Sequence, residues 1–212
     1  AIQAGKDYAK LTGDSVFHAL TLLRFGRFDE VLALAAHAEP RSNDVSAGIL
    51  DFARGYAHLR NGDADFAQVY LDRVLKTAQT SEDRLRFHDA KHLLGVVGGI
   101  LEGEIHREAG EVSAAIASFE RAVELEDELM YDEPEPLPFA ARHWLGASLI
   151  EAKRYHDAER TYREELEDHP HNGWSLFGGA ITDNNYRALS VGVGRDLLAL
   201  GAVSLDATQS HA

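Results

Sequence analysis

The sequence predicts an all-α chain of stacked helical hairpins, and three observations predict it. A 34-residue stretch, Phe139 to Asn172, sets small and large residues where two antiparallel helices must touch. The same register returns in three upstream segments. The composition, 45% hydrophobic and 26% charged over 212 residues, suits one elongated domain with a continuous core, spanning 1–204 ahead of a flexible tail at 205–212.

Taken in order, Thr12 to Val45 keeps Gly26, Ala35 and Ala38, and Arg24 to Glu30 reads as the turn between its helices. Gly48 to Ser81 follows with Gly55, Gly62 and Ala67, with Leu71 in the aromatic slot and Val74 in a later alanine slot. Ser81 is expected to cap a helix whose first turn carries Glu82 and Asp83. Val96 to Leu129 restores the register through Gly103, Gly110, Ala115, Phe119 and Ala122. Gly95, Gly99 and Gly103 lie four apart, a small-residue stripe suited to close helix contact. Met130 to Pro138 holds three of the five prolines and is expected to be extended and stiff, its acidic residues capping a helix that starts near Phe139. Arg142 is a candidate partner for Asp132, Glu133 or Glu135.

In the Phe139 to Asn172 unit, Leu145 and Gly146 supply the large and small residues of the first helix, with Leu149 one turn on. Ala158 marks the crossing point, Tyr162 fills the space between hairpins, and Pro170 closes the unit. Glu165 stands at a core position where alanine would be usual. Residues 173–204 read as a cap: Asn184-Asn185-Tyr186 as a loop, Arg187 to Gly201 as a last helix, and Ser204 onward as a frayed end. Gly192-Val193-Gly194 lacks the third glycine and the preceding strand of a nucleotide loop.

Tyr131-Asp132-Glu133-Pro134, Arg142, Leu145-Gly146 and Asn172-Gly173-Trp174-Ser175-Leu176-Phe177-Gly178 carry a resemblance that runs from about Gly26 to Gly178. The chain looks like the C-terminal half of a group of bacterial tetratricopeptide-repeat proteins. The resemblance implies hairpins stacked in a right-handed superhelical solenoid, no enzymatic activity, and a longer parent with further repeats. Leu137, where an aromatic is common, and the chain after Ala180 depart from the pattern.

A formal net charge of −14 disfavours a nucleic-acid partner, which needs a basic footprint. Absence of cysteine excludes disulfide and thiolate chemistry. No apolar run is long enough for a membrane-spanning helix. A soluble protein is expected, cytoplasmic or exported to the periplasm, with no cofactor.

The expected function is a non-enzymatic scaffold that binds a peptide or protein in a concave groove. The repeat register assigns to that groove Phe52, Tyr56, Leu59 and Arg60, then Ile100, Glu104, Arg107 and Glu108, then His143, Ala147, Ile150 and Glu151. A second reading is a homo-oligomer or complex subunit joined through hairpin ends near Ala1 and Val191. A third is a metal protein using His88 and His92, four apart on an expected helix. His106 lies about 21 Å further along such a helix, too far to complete that site. His169 and His171 flank Pro170 as turn residues.

Overall fold

Four turns of one design organise the chain. In the computed structural model, which describes residues 1–13, 15–36 and 43–183, four helix pairs are each joined by three residues: α2 (Val16–Arg24) with α3 (Phe28–Ala36), α4 (Asp44–Arg60) with α5 (Ala64–Thr80), α6 (Ala90–Glu108) with α7 (Val112–Asp127), and α8 (Arg142–Glu151) with α9 (Tyr155–Asp168). Each turn closes with a bond from the residue entering the second helix to a carbonyl five residues back: Arg27 to Leu22, Asp63 to His58, Glu111 to His106 and Arg154 to Leu149. That six-to-one bond needs one left-handed residue, supplied by Gly26, Gly62 and Gly110 with φ of 67°, 88° and 79°. In the fourth turn Lys153 takes the same conformation at φ 60°, at a steric cost that glycine avoids.

The paired helices run antiparallel, as the glycine stripe demonstrates. A Cβ at Gly95 would meet Leu125 Cδ1 at 2.6 Å, one at Gly99 would meet Ala122 Cβ at 3.0 Å, and one at Gly103 would meet Phe119 Cδ1 and Cζ at 2.6 Å. As the number falls along α6, it rises along α7. Phe119 is fully buried and has nowhere to withdraw. Gly103→Ala is therefore expected to lower stability by about 1–2 kcal/mol, because overpacking outweighs the helix propensity gained. Chemical denaturation would show this as a lower midpoint with an unchanged slope.

The all-α architecture is observed among the described residues, apart from one small hairpin. Helix α1 (Ile2–Thr12) precedes the first pair and packs on α2 through Gly5, beside His18. Helix α10 (Gly173–Asp183) packs on α8 and α9. The Tyr162 ring lies between Gly146 of α8 and Gly178 of α10, filling the inter-hairpin space as the sequence suggests. Helix α4 starts ahead of the repeat boundary expected at Gly48, where Asn43 accepts the Ser46 N–H as its cap.

Three local expectations are corrected. Ser81 ends α5 and does not begin a helix; the chain then forms β1 (Arg84–Leu85) and β2 (His88–Asp89), paired antiparallel. The reason is a staple to the start of α4. Asp83 Oδ2 accepts the Asp44 N–H at 2.8 Å, Asn43 Nδ2 donates to the Arg84 carbonyl at 2.9 Å, and Ser81 Oγ donates to Asp44 at 2.8 Å. Those acidic groups satisfy the end of another helix, and Asp89 caps α6. The second correction concerns Arg142, which clasps Asp127 at 2.5 and 2.8 Å, while Asp132 pairs with Arg86 and His88. In the third, α8 begins at Arg142, and the Ala141 N–H preceding it donates to half-buried Glu126 at 2.9 and 3.1 Å. The 130–138 segment has no helix or strand, and Arg86 holds it by donating to the Glu133 and Pro134 carbonyls.

The cap predicted at 173–204 falls within the described residues only as far as Asp183, in α10. The expected helix at Arg187 to Gly201, Gly192 to Gly194, the end near Val191, the 205–212 tail and Ala38 lie outside the described residues.

Candidate functional site

Helices α4, α6 and α8 carry every residue the sequence assigned to a concave groove. The structure places Phe52, Tyr56 and Ile100 in the core with no exposure, and leaves Leu59, Glu104, Arg107 and His143 buried. Arg60, Ala147 and Ile150 are half-buried, and Glu108 and Glu151 reach the surface. An aromatic block fills the space between these helices. Phe52 lies 6.1 Å from Phe139, Phe139 5.1 Å from Trp144, and Tyr56 6.4 Å from Trp144, all tilted or edge-on as ring quadrupoles prefer. Rings of α4 and α8 touch directly, so these side chains contribute to packing.

Beside the rings runs a chain of charge. Trp144 Nε1 donates to Tyr56 Oη at 3.3 Å, and Tyr56 Oη donates to Glu104 Oε2 at 3.3 Å. Arg107 donates to Glu104 at 2.7 Å and forks onto Glu151 at 2.7 and 2.9 Å. Arg60 donates to Glu108 at 3.0 Å and lies 4.0 Å from Glu104. Burial pushes the Tyr56 hydroxyl pKa up, and the Glu104 charge pushes it further. Burial pulls the Arg107 pKa down, but Glu104 and Glu151 overcome this and hold it above its ordinary value. These are the marks of an ionic strut across three helices.

The metal reading rested on His88 and His92 sharing a helix face. His88 instead lies in β2, ahead of α6, with Nε2 3.3 Å from Asp132, while His92 contacts Asp89 at 2.7 Å and Glu128 at 2.8 Å. The two imidazoles address different carboxylates. Among the described residues no group of three or more His, Cys, Asp or Glu could hold a metal ion. His106 contacts Glu111 at 2.6 Å across the α6–α7 turn.

Sequence reasoning missed a serine, histidine and glutamate brought together by α8, α9 and α10. His143 Nε2 lies 3.1 Å from Ser175 Oγ and 3.7 Å from Glu165 Oε1, and Ser175 donates directly to Glu165. A nucleophilic triad needs the carboxylate on the far ring nitrogen, to orient the base. Here one nitrogen faces both groups. Ser175 is wholly buried, and burial drives the His143 pKa down to about 3, helped by the Arg24 charge. Asn172 Nδ2 donates to Glu165 at 2.8 Å, and His169 Nδ1 approaches it at 3.0 Å. The buried Glu165, unusual for its position, is thus the acceptor that ties α10 to α9. Its one sequence signal was that departure from alanine.

Comparison with known proteins bears on this same end of the chain. The family model for the outer membrane usher protein matches residues 149–212, under a third of the chain. Of these, 149–183 are described and comprise the end of α8, then α9 and α10. The chain is 60% identical over 40 residues to the putative outer membrane usher protein YfcU of Escherichia coli K12, covering 19% of this chain and 4% of that protein. It is 47% identical over 55 residues to the outer membrane usher protein FocD of Escherichia coli, covering 26% and 6%. To FimD of Escherichia coli K12, another outer membrane usher protein, it is 44% identical over 39 residues, covering 18% and 4%. The chain therefore spans only a few per cent of the length of these relatives. No solved structure matches significantly. These matches overturn the assignment to a tetratricopeptide-repeat family, and with it the groove-binding peptide scaffold; neither the oligomer nor the metal alternative gains from them.

Proposed function

We propose that residues 149–212 serve as usher sequence, and that the chain belongs to an outer membrane usher acting in pilus assembly with protein partners and without a catalysed reaction. One observation carries this reading: the usher model and three usher relatives agree, the best of them with 60% identity over 40 residues. The same relatives support reading the chain as exported to the outer membrane. No helix among the described residues is long and apolar enough to cross a membrane. The non-catalytic reading is supported by the geometry at Ser175, His143 and Glu165, which lacks an oriented base.

As a matter of geometry alone, and not of kinship, we infer that the four hairpins stack in tetratricopeptide fashion as a right-handed superhelix. Their shared three-residue turns and the packing of α2 on α4 and α4 on α6 support this.

The functional reading is tested by exchange. Replacing the matched stretch of FimD with its counterpart from this chain is expected to leave that usher in the outer membrane at parental level. Degradation of the hybrid, or its loss from the outer-membrane fraction, would overturn the reading.

A further inference from the structure

The end of α2 and the start of α10 flank an open cleft. It measures about 680 Å³ and is lined by Arg24, His169, His171, Asn172, Gly173, Trp174 and Phe177. That volume lies within the range of small-molecule sites. Arg24 is the charge in its wall. Its guanidinium carbon lies 6.0 Å from the Trp174 ring centroid, and among the described residues no carboxylate pairs with it. In a chain of net charge −14, where most described arginines are clasped by an acid, Arg24 is not.

We propose that this cavity binds a small organic carboxylate carrying a flat apolar group, with Arg24 receiving the carboxylate and Trp174 and Phe177 receiving the apolar face. The chemistry follows from the lining. A guanidinium fork matches a carboxylate with two parallel N–H bonds, and stacks on indole at the same time. Burial lowers the Arg24 pKa with no opposing carboxylate contribution, so an incoming anion would supply the missing counter-charge. The lining His169 is flanked by two acids: its Nε2 meets Glu135 at 2.5 Å, and its Nδ1 lies 3.0 Å from Glu165. The Asn172 side chain is spent on Glu165 and on the Trp174 N–H, which fixes Trp174 at the wall. Phe177, in the lining, is 41% exposed. The proposal stands on this geometry and does not depend on the usher reading.

The test uses the whole chain and benzoate as probe, with benzamide as its neutral counterpart, by calorimetric titration and tryptophan fluorescence. Saturable benzoate binding is expected, with benzamide about tenfold weaker. Arg24→Gln should weaken benzoate about tenfold and leave benzamide unchanged, with Arg24→Lys between. Phe177→Ala, at an exposed position, should weaken both probes together and keeps the test open if an Arg24 variant fails to fold. Equal affinity for the two probes, an unchanged benzoate affinity in folded Arg24→Gln, or no saturable benzoate binding would each overturn the proposal.

Discussion

Arg107→Ala is expected to lower the free energy of unfolding by about 3–5 kcal/mol, the largest loss from any single substitution in the strut between α4, α6 and α8. Glu104 is 1% exposed, and Arg107 supplies its closest cationic bond at 2.7 Å. Without it, the carboxylate keeps the Tyr56 hydroxyl at 3.3 Å and faces Arg60 at 4.0 Å, beyond hydrogen-bond reach. Glu151 loses two bonds as well, but it sits at the surface where water replaces them. The loss thus arises from a stranded charge. Arg107→Met combined with Glu104→Gln removes both charges, keeps an acceptor for Tyr56 and fills the volume, and should recover most of the stability. Urea denaturation followed by tryptophan fluorescence would report it, since Trp144 packs on Tyr56. A loss below about 1 kcal/mol in the single variant would show that the strut contributes little.

Much of the helical framework was legible because turns repeat a chemical requirement. Gly26, Gly62 and Gly110 follow α2, α4 and α6 at one fixed offset, where a left-handed residue must close the turn. The fourth turn was legible only through its surroundings, since Lys153 gives no such signal. Gly95, Gly99 and Gly103 predicted a close helix approach, and each faces a side chain of α7. The β1–β2 hairpin was hidden because Asp83 and Ser81 look like local capping residues, while their real partners lie at the start of α4, about forty residues away. The residues assigned to a groove fall on α4, α6 and α8, yet nothing in a single repeat's pattern reveals that Phe139 and Trp144 reach α4 and fill the space.

Kinship was misread for a related reason. Ala158, Tyr162 and Gly178 satisfy a helix-packing register, so as far as Gly178 the only local conflict was Glu165, and the departure after Ala180 read as a cap on the repeats. Packing rules constrain how a segment folds and are silent about its ancestry. The matches over 149–212 supply what the pattern lacked.

Stability is expected to form a plateau between about pH 4.5 and 6.5 and to fall on both sides, because half-buried Glu126 and buried His143 titrate in opposite senses. Burial raises the Glu126 pKa from 4.5 to about 8; the Ala141 N–H and Arg142 oppose this, while Asp127 and Glu135 reinforce it. A carboxyl raised in the folded state stabilises below its unfolded pKa, and that contribution is lost as pH rises toward 8. Burial lowers the His143 pKa from 6.5 to about 3, assisted by Arg24 and His169. That contribution is present above 6.5 and is lost as pH falls toward 3. Between 4.5 and 6.5 the two slopes cancel. Beyond either edge one acts alone over about 1.5 pH units, so each limb amounts to about 2 kcal/mol. Glu126→Gln retains an acceptor for the Ala141 N–H and removes the charge, so it should abolish the alkaline limb and exceed the parent in stability at pH 8. His143→Gln should flatten the acid limb alone. Melting temperatures of the parent and both variants from pH 3 to 9 check this: an alkaline limb that survives Glu126→Gln would assign it to another group, and with it the claim that Glu126 is held protonated beneath α8.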